Sequence, residues 1–271
     1  MARCEQEIVS LVSGVNRADD KARFDVDRVE ALAVELEDRP PQEIVARSLQ
    51  EFGNRITLAT GFGAEGMALI DMSVKARPDA DVFFLDTGFL FPETYDLRRR
   101  VEERYGIEIR EVKPELSPRT QERAYGPALW SRDPDLCCRL RKLEPLKEAL
   151  HGYDAWMTAI RRDQTAGRAH ARAVEWDYRW HLVKVNPLVR WSSRDVWRYI
   201  YKEKVPYNPL HDQGYPSIGC THCTRPVTAS EGERAGRWSG HAKTECGLHG
   251  RPLDAGPGSG GADLSKKNRL M

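Results

Sequence analysis

The sequence predicts an α/β fold, a mostly parallel sheet with helices on both faces, followed by an irregular C-terminal segment. Three observations predict it. From about residue 25 to 205, short apolar runs alternate with amphipathic stretches, the rhythm of repeated βαβ units. The first two apolar runs end in turns that carry glycine, as strands do where they hand over to helices. After residue 205 the periodicity stops, and Pro206, Pro209, Pro216 and Pro226 alternate with glycines, polar residues and cysteines. The expected organisation is an N-terminal extension (1–24), a nucleotide-binding α/β domain (25–205), a cysteine-bearing segment (206–250) and a tail (251–271). That tail holds the run GPGSGG and reads as disordered.

The elements follow in order. Val29, Leu32, Ala33 and Leu36 form one helical stripe, and Ile44, Val45, Leu49 and Phe52 form the next. Pro40 and Pro41 separate them, and Gly53 stops the second. Residues 56–59 read as a strand, 60–66 as a glycine-rich turn and 67–76 as a helix. Residues 81–85 (DVFFL) read as a buried strand. Pro92 sits where a helix favours proline, at its first position, and Gly106 ends that helix. Further strands are expected at 107–112, 155–159 and 182–185, with a helix over 136–150. Ser192 and Asp195 make a near capping box for a helix through Tyr201.

Composition narrows the function. The 271 residues carry 42 Lys plus Arg against 41 Asp plus Glu, a net charge of +1. That balance excludes a general nucleic-acid binder, which needs a basic excess. No apolar run approaches the ~18 residues of a membrane span. Glu5 and Glu7 spoil the first residues as a secretory signal. A cytoplasmic protein is expected.

Six cysteines are too few for a disulfide scaffold, and they cluster. Cys137 and Cys138 are adjacent, and Cys220 and Cys223 form C-x-x-C. Zinc thiolates lie about 3.8 Å apart, and adjacent side chains diverge too far to share one small ion easily. A [4Fe–4S] cubane offers separate irons, so spacer-free thiolates favour it over a structural zinc. Cys246 stands alone, with Lys243 and His249 three residues to either side. It reads either as a nucleophile with a lowered pKa or as an exposed thiol. The turn 60–66 could cradle a phosphate at the helix N-terminus, although it matches neither common nucleotide fingerprint. Leu85, Asp86 and Thr87 end the next strand, where ligands of open parallel sheets bind. Lys142, Arg161, Arg162, Arg234 and Arg237 lie beside these motifs, so an anion pocket competes with ordinary surface placement.

The combination DLCCRLRK (135–142), KVNPL (184–188), YPSIGCTHCTRPV (215–227), ERAGRW (233–238) and KTECGLH (243–249) resembles the assimilatory adenylyl-sulfate (APS) reductases. The similarity runs from about residue 43 to 249 and includes LDTGFLFPET at 85–94. It implies an adenine-nucleotide α-hydrolase-like fold and the reduction of APS to sulfite and AMP. It implies Cys246 as the nucleophile that becomes S-sulfocysteine, and Cys137, Cys138, Cys220 and Cys223 as ligands of a [4Fe–4S] cluster. Substrate contacts are implied at Thr60, Gly61, Gly63, Leu85, Asp86, Thr87, Lys142, Arg161, Arg162, Arg234, Arg237 and His249. A thioredoxin-type reductant is implied as partner, and a homo-oligomer is compatible. Gly66 departs from the family, whose members commonly carry an acid there. Two rivals stand: a 3′-phosphoadenylyl-sulfate reductase or dual-specificity enzyme, and a zinc-ribbon module on a nucleotide sensor without turnover.

Overall fold

The computed structural model describes residues 26–249. The expected N-terminal extension and glycine-rich tail, with Cys4, therefore lie outside the described residues. Two helices lead in, α1 (Val26–Leu36) and α2 (Pro41–Phe52). They bury the stripes read from the sequence, Val29 to Leu36 and Ile44 to Phe52. The chain then alternates through β1 (Ile56–Thr60), α3 (Ala64–Ala76), β2 (Val82–Leu85), α4 (Pro92–Tyr105) and β3 (Ile109–Val112). Three short helices follow: α5 (Pro118–Tyr125), α6 (Leu129–Arg132) and α7 (Pro134–Cys138). After a π-helical turn come α8 (Glu144–Ala149), β4 (Ala155–Met157), β5 (Val174–Asp177), β6 (Leu182–Val185) and α9 (Ser193–Glu203).

The six strands lie in the order β3-β2-β1-β4-β6-β5. All neighbours are parallel except β5, which pairs antiparallel to β6 as an edge. From β1 the chain runs outward through β2 to β3, then returns to β4 on the other side of β1. The order therefore switches between β1 and β4, which pair Ile56 with Ala155 and Leu58 with Met157. In such sheets a crevice opens beyond the carboxyl ends of those two strands.

Alternation along the strands sends side chains to two cores. Val82, Phe84, Met157, Val183 and Val185 pack with α1, α2 and α3. Phe83, Trp156 and Leu182 pack with Leu146, Ala149 and Leu150 on and after α8. The segment after residue 205 contributes little to either: among its described residues the buried apolar ones are Leu210, Cys220 and Trp238. Two isolated bridges tie it down, Leu90 to Cys220 and Thr224 to Arg237.

Two features differ from the sequence expectation. The expected helix over 136–150 is interrupted at Arg139–Leu143 by the π turn, where the Glu144 N–H reaches back to the Arg139 carbonyl. Pro145 has no N–H for the Arg141 carbonyl, so the regular ladder cannot run through. Strand β5, with its pattern VEWD, lacks an apolar run because one face is half-exposed at the sheet edge.

Candidate active site

A cavity of about 240 Å³ opens at the switch point, over the ends of β1, β2 and β4. Its floor is Ala59 and Thr60 from β1, Phe83 and Leu85 from β2, and Trp156, Thr158 and Ala159 from β4 and beyond. Gly61, Gly63 and Gly66 bring the backbone to the N-terminus of α3. The turn is held in an uncommon form. Phe62 has φ of 56° and is fully buried against Phe84, ring to ring at 5.3 Å. A bulky residue in the left-handed region persists only where its surroundings enforce it. The Phe62 N–H also donates to Thr60 Oγ1 at 3.1 Å. Gly66 has a local reason: a Cβ there would stand 2.7 Å from Thr60 Oγ1.

Cations outnumber acids on the cavity wall: Lys142, Arg168, Arg234 and Arg237 line it, against Glu65 and Glu233. Lys142 comes from the π turn, whose extra residue shifts the phase of the side chains just after the cysteine pair. Burial would push the Lys142 ammonium down, but Cys220, Cys246 and Cys138 beside it hold it above the ordinary lysine value. Arg237 lies over the Trp238 ring at 4.6 Å and donates to Ser217 Oγ and the Ile218 carbonyl, each at 3.2 Å. Gly219 leaves room for that guanidinium, which any Cβ would meet. The buried Nε atoms of Arg168, Arg234 and Arg237 have no hydrogen-bond partner. Buried guanidinium N–H groups beside a cavity are donors of the kind that carboxylate, phosphate and sulfate oxygens accept from.

Cys246 lines the same cavity, as do Leu248 and His249. Leu248 packs against the Phe83, Leu146 and Trp156 group. His249 stacks on Trp156 with ring centroids 5.7 Å apart and planes 14° apart. Burial, then Lys184, Arg168 and Arg234, hold its pKa well below the usual histidine value, so the imidazole is neutral near pH 7. Arg179 donates to the Gly247 carbonyl.

Behind Lys142, a second, narrow cavity is lined by Cys137, Cys138, Cys220 and Cys223. The first three are 7%, 7% and 8% exposed, and none of the four is in a disulfide. Burial raises the Cys137 and Cys223 thiols to about 11, and mutual repulsion among the four adds to it. Cys220 Sγ lies 3.3 Å from Thr87 Oγ1, and Arg141 is buried beside the cysteines with Nη1 on the Thr87 carbonyl at 2.7 Å. Among the described residues no group of His, Cys, Asp and Glu closes round a single metal ion. Four thiols facing one narrow cavity, three of them buried, fit a group larger than a single ion that all four would hold as thiolates.

Of the residues expected at a substrate, Thr60, Gly61, Gly63, Leu85, Thr87, Lys142, Arg234, Arg237 and His249 reach the wall. Asp86, Arg161 and Arg162 do not. Asp86 is turned into its own loop, accepting from Gly88 N at 2.9 Å and Tyr95 Oη at 2.6 Å. Arg161, fully buried, is consumed by Glu65, Asp163 and Glu233. Arg162 pairs with Glu37 and the Ala171 carbonyl, away from the cavity. Sequence reasoning missed Arg168 and Trp156. The first sits in a stretch without periodicity, and the second reads as an ordinary strand core residue.

Residues 55–226 match the phosphoadenosine phosphosulfate reductase domain family. The chain belongs to this family. Its relatives include an adenosine 5′-phosphosulfate reductase of Halalkalibacterium halodurans, 51% identical over 79% of this chain and 93% of the relative. A phosphoadenosine 5′-phosphosulfate reductase of Gloeobacter violaceus is 45% identical over 87% of this chain and all of the relative. The crystal structure of the phosphoadenylyl-sulfate reductase of Candida auris, a phosphate complex, superposes with a TM-score of 0.65 at 32% identity, covering 75% of this chain and 98% of that one. An FMN adenylyltransferase of Candida glabrata, 13% identical with a TM-score of 0.53 over 82% of this chain and 78% of its own, shares the fold alone. The reductase family match ends at residue 226, so Arg234, Arg237 and Cys246 enter the site from beyond it. Among the described residues, no helix is long and apolar enough to cross a membrane.

Proposed function

We propose that this chain reduces adenylyl sulfate to sulfite and AMP, as a step of sulfate assimilation. The observation that carries the reading is Cys246 in one cavity with Lys142, Arg168, Arg234 and Arg237, at the nucleotide crevice of the sheet. Glycines at the α3 N-terminus suit a phosphate, and Trp156 with the apolar floor suits an aromatic base. The Cys246 thiolate attacks the sulfate sulfur; the S–O bond to the phosphate breaks, and AMP leaves with the electron pair. The cations stabilise the charge that gathers on the departing phosphate oxygen. A dithiol protein of the thioredoxin type then attacks Cys246 Sγ, sulfite leaves, and the second thiol closes a disulfide and frees Cys246. Sulfur thus takes two electrons from the dithiol.

Cys137, Cys138, Cys220 and Cys223 are the set that would hold a [4Fe–4S] cluster. When bound, its iron core would offset part of the negative charge of the four thiolates and give a fixed mount to the turn that carries Lys142. Iron and acid-labile sulfide in anaerobically purified protein test this. About four of each per chain supports it, and stoichiometric zinc without sulfide overturns it. For the reaction, wild type incubated with APS and no reductant is expected to gain one sulfonate on the Cys246 peptide. An adduct on another cysteine, or turnover by Cys246→Ser, overturns the mechanism. The rival substrate, 3′-phosphoadenylyl sulfate, is judged by comparing kcat/KM for the two nucleotides.

A further inference from the structure

The residue before the nucleophile is an acid placed among the cations of the site. The Glu245 carboxylate accepts from Arg168 Nη2 at 2.7 Å, from Arg234 Nη2 at 3.3 Å and from the Thr165 hydroxyl at 3.0 Å. Burial would raise its carboxyl, but Arg168, Arg234 and the Thr165 hydroxyl hold it below the usual range. Each guanidinium therefore presents one edge to Glu245, while its Nε stays buried without a partner. Arg234 also donates to the Thr244 carbonyl at 2.9 Å, one residue further back along the tail. The same two arginines face the cavity that Cys246 lines. A bound anion and the tail would thus be joined through shared cations, with Cys246 one peptide unit from the joint.

We propose that Glu245 is a positioning residue: it latches the nucleophile-bearing tail onto the two arginines that face the substrate anion, and so sets where Cys246 stands relative to the sulfur. This deepens the reading of Cys246 as the nucleophile and rests on it. Besides the Thr244 carbonyl on Arg234, the tail is fastened by Leu248 in its apolar niche, His249 on Trp156, Arg179 on the Gly247 carbonyl, and Lys243 paired with Asp135. None of these joins the tail to Arg168, and none puts a negative charge between the two arginines. An ionic latch also opens reversibly, which the second half of the reaction requires, because the sulfonated thiol must meet another protein.

The test is Glu245→Gln in the cluster-loaded enzyme. Losing a charge-assisted contact at a positioned nucleophile is expected to slow single-turnover sulfonation of Cys246 by about 10-fold at saturating APS. The Kd of AMP is expected to change by less than about 3-fold, since the arginines remain. In the ligand-free enzyme, alkylation of Cys246 by iodoacetamide at fixed pH should quicken about 10-fold, from freer access to the thiol. Raising the salt should quicken alkylation more in wild type than in the variant, because the variant keeps only the Lys243–Asp135 pair to screen. Thr165→Val, which removes one hydroxyl, should shift each readout the same way by less. Unchanged sulfonation and alkylation overturn the proposal. So does an AMP Kd that rises as much as sulfonation slows, which makes Glu245 a structural support of the pocket. If wild type forms no sulfonate on Cys246, the reading of the nucleophile fails, while the alkylation and salt measurements still judge the latch.

Discussion

Arg237 illustrates how a single side chain is prepared for an anion. Its guanidinium is braced on Trp238 and on the 217–218 backbone and hydroxyl, while its Nε remains unpartnered. A charge-assisted hydrogen bond contributes about 1.5–3 kcal/mol, so Arg237→Ala is expected to lower kcat/KM for APS by about 10- to 100-fold. An unchanged value removes Arg237 from the anion site. His249 provides a pH measurement. Its pKa is depressed in the folded chain, so the docked tail favours the neutral ring, and stability from docking is lost as pH falls through the unfolded value. NMR titration should find the imidazole still neutral below its usual midpoint of about 6.5. Binding AMP brings negative charge near the ring and should raise that pKa; titration at or above the usual value in the free enzyme contradicts the placement.

At the scale of the element, the turn into α3 couples two small choices. Glycine inside a helix normally costs about 0.5–1 kcal/mol against alanine. At Gly66 the sign should reverse, because the new methyl group would meet Thr60 Oγ1, which is buried and holds the Phe62 N–H. Gly66→Ala is expected to lower the stability of the chain by about 1–3 kcal/mol, the usual cost of overpacking. In a Thr60→Ala background the same change should be near neutral. Thermal unfolding of the two single variants and the double variant measures this coupling, and simple additivity refutes it. The π turn is the other decisive element. It places Lys142 at the cavity while Arg141 stays buried behind the cysteines.

For the whole molecule, the two cysteine pairs join regions with separate folding support. Cys137 and Cys138 belong to the helices after β3, whereas the segment from 206 onward has only three buried apolar residues among those described. A shared cofactor would therefore carry much of the docking of that segment. Removing iron under anaerobic chelation is expected to open residues 206–249 to protease while the sheet and its helices, 26–205, stay resistant. Equal resistance before and after removal argues that the segment is held by its own contacts. Cys220→Ser should reproduce the chelated pattern and lose activity with it.

The sequence determined the helices α1 and α2, the parallel strands β1 to β3, the capping box before α9 and the pairing of the cysteines, because each is written in local periodicity or spacing. The four clustered cysteines and Cys246 needed no tertiary knowledge to be singled out, since thiols in close pairs are chemically conspicuous wherever they lie. Only the tertiary structure decided which arginines face the cavity. Arg161, Arg162 and Arg168 stand within eight positions of one another and look alike in one dimension. Glu65 and Glu233 from distant parts of the chain, with neighbouring Asp163, claim the first, Glu37 claims the second, and the third is held by Glu245 and Gln164 at the cavity wall with its Nε unpartnered. The antiparallel edge strand β5 was likewise beyond sequence pattern, because its neighbour β6 defines it. Pro145 marks in the sequence where the helix must lose a hydrogen bond, but the π turn that absorbs the loss, like the charge balance of the site, follows from what folding brings alongside each residue.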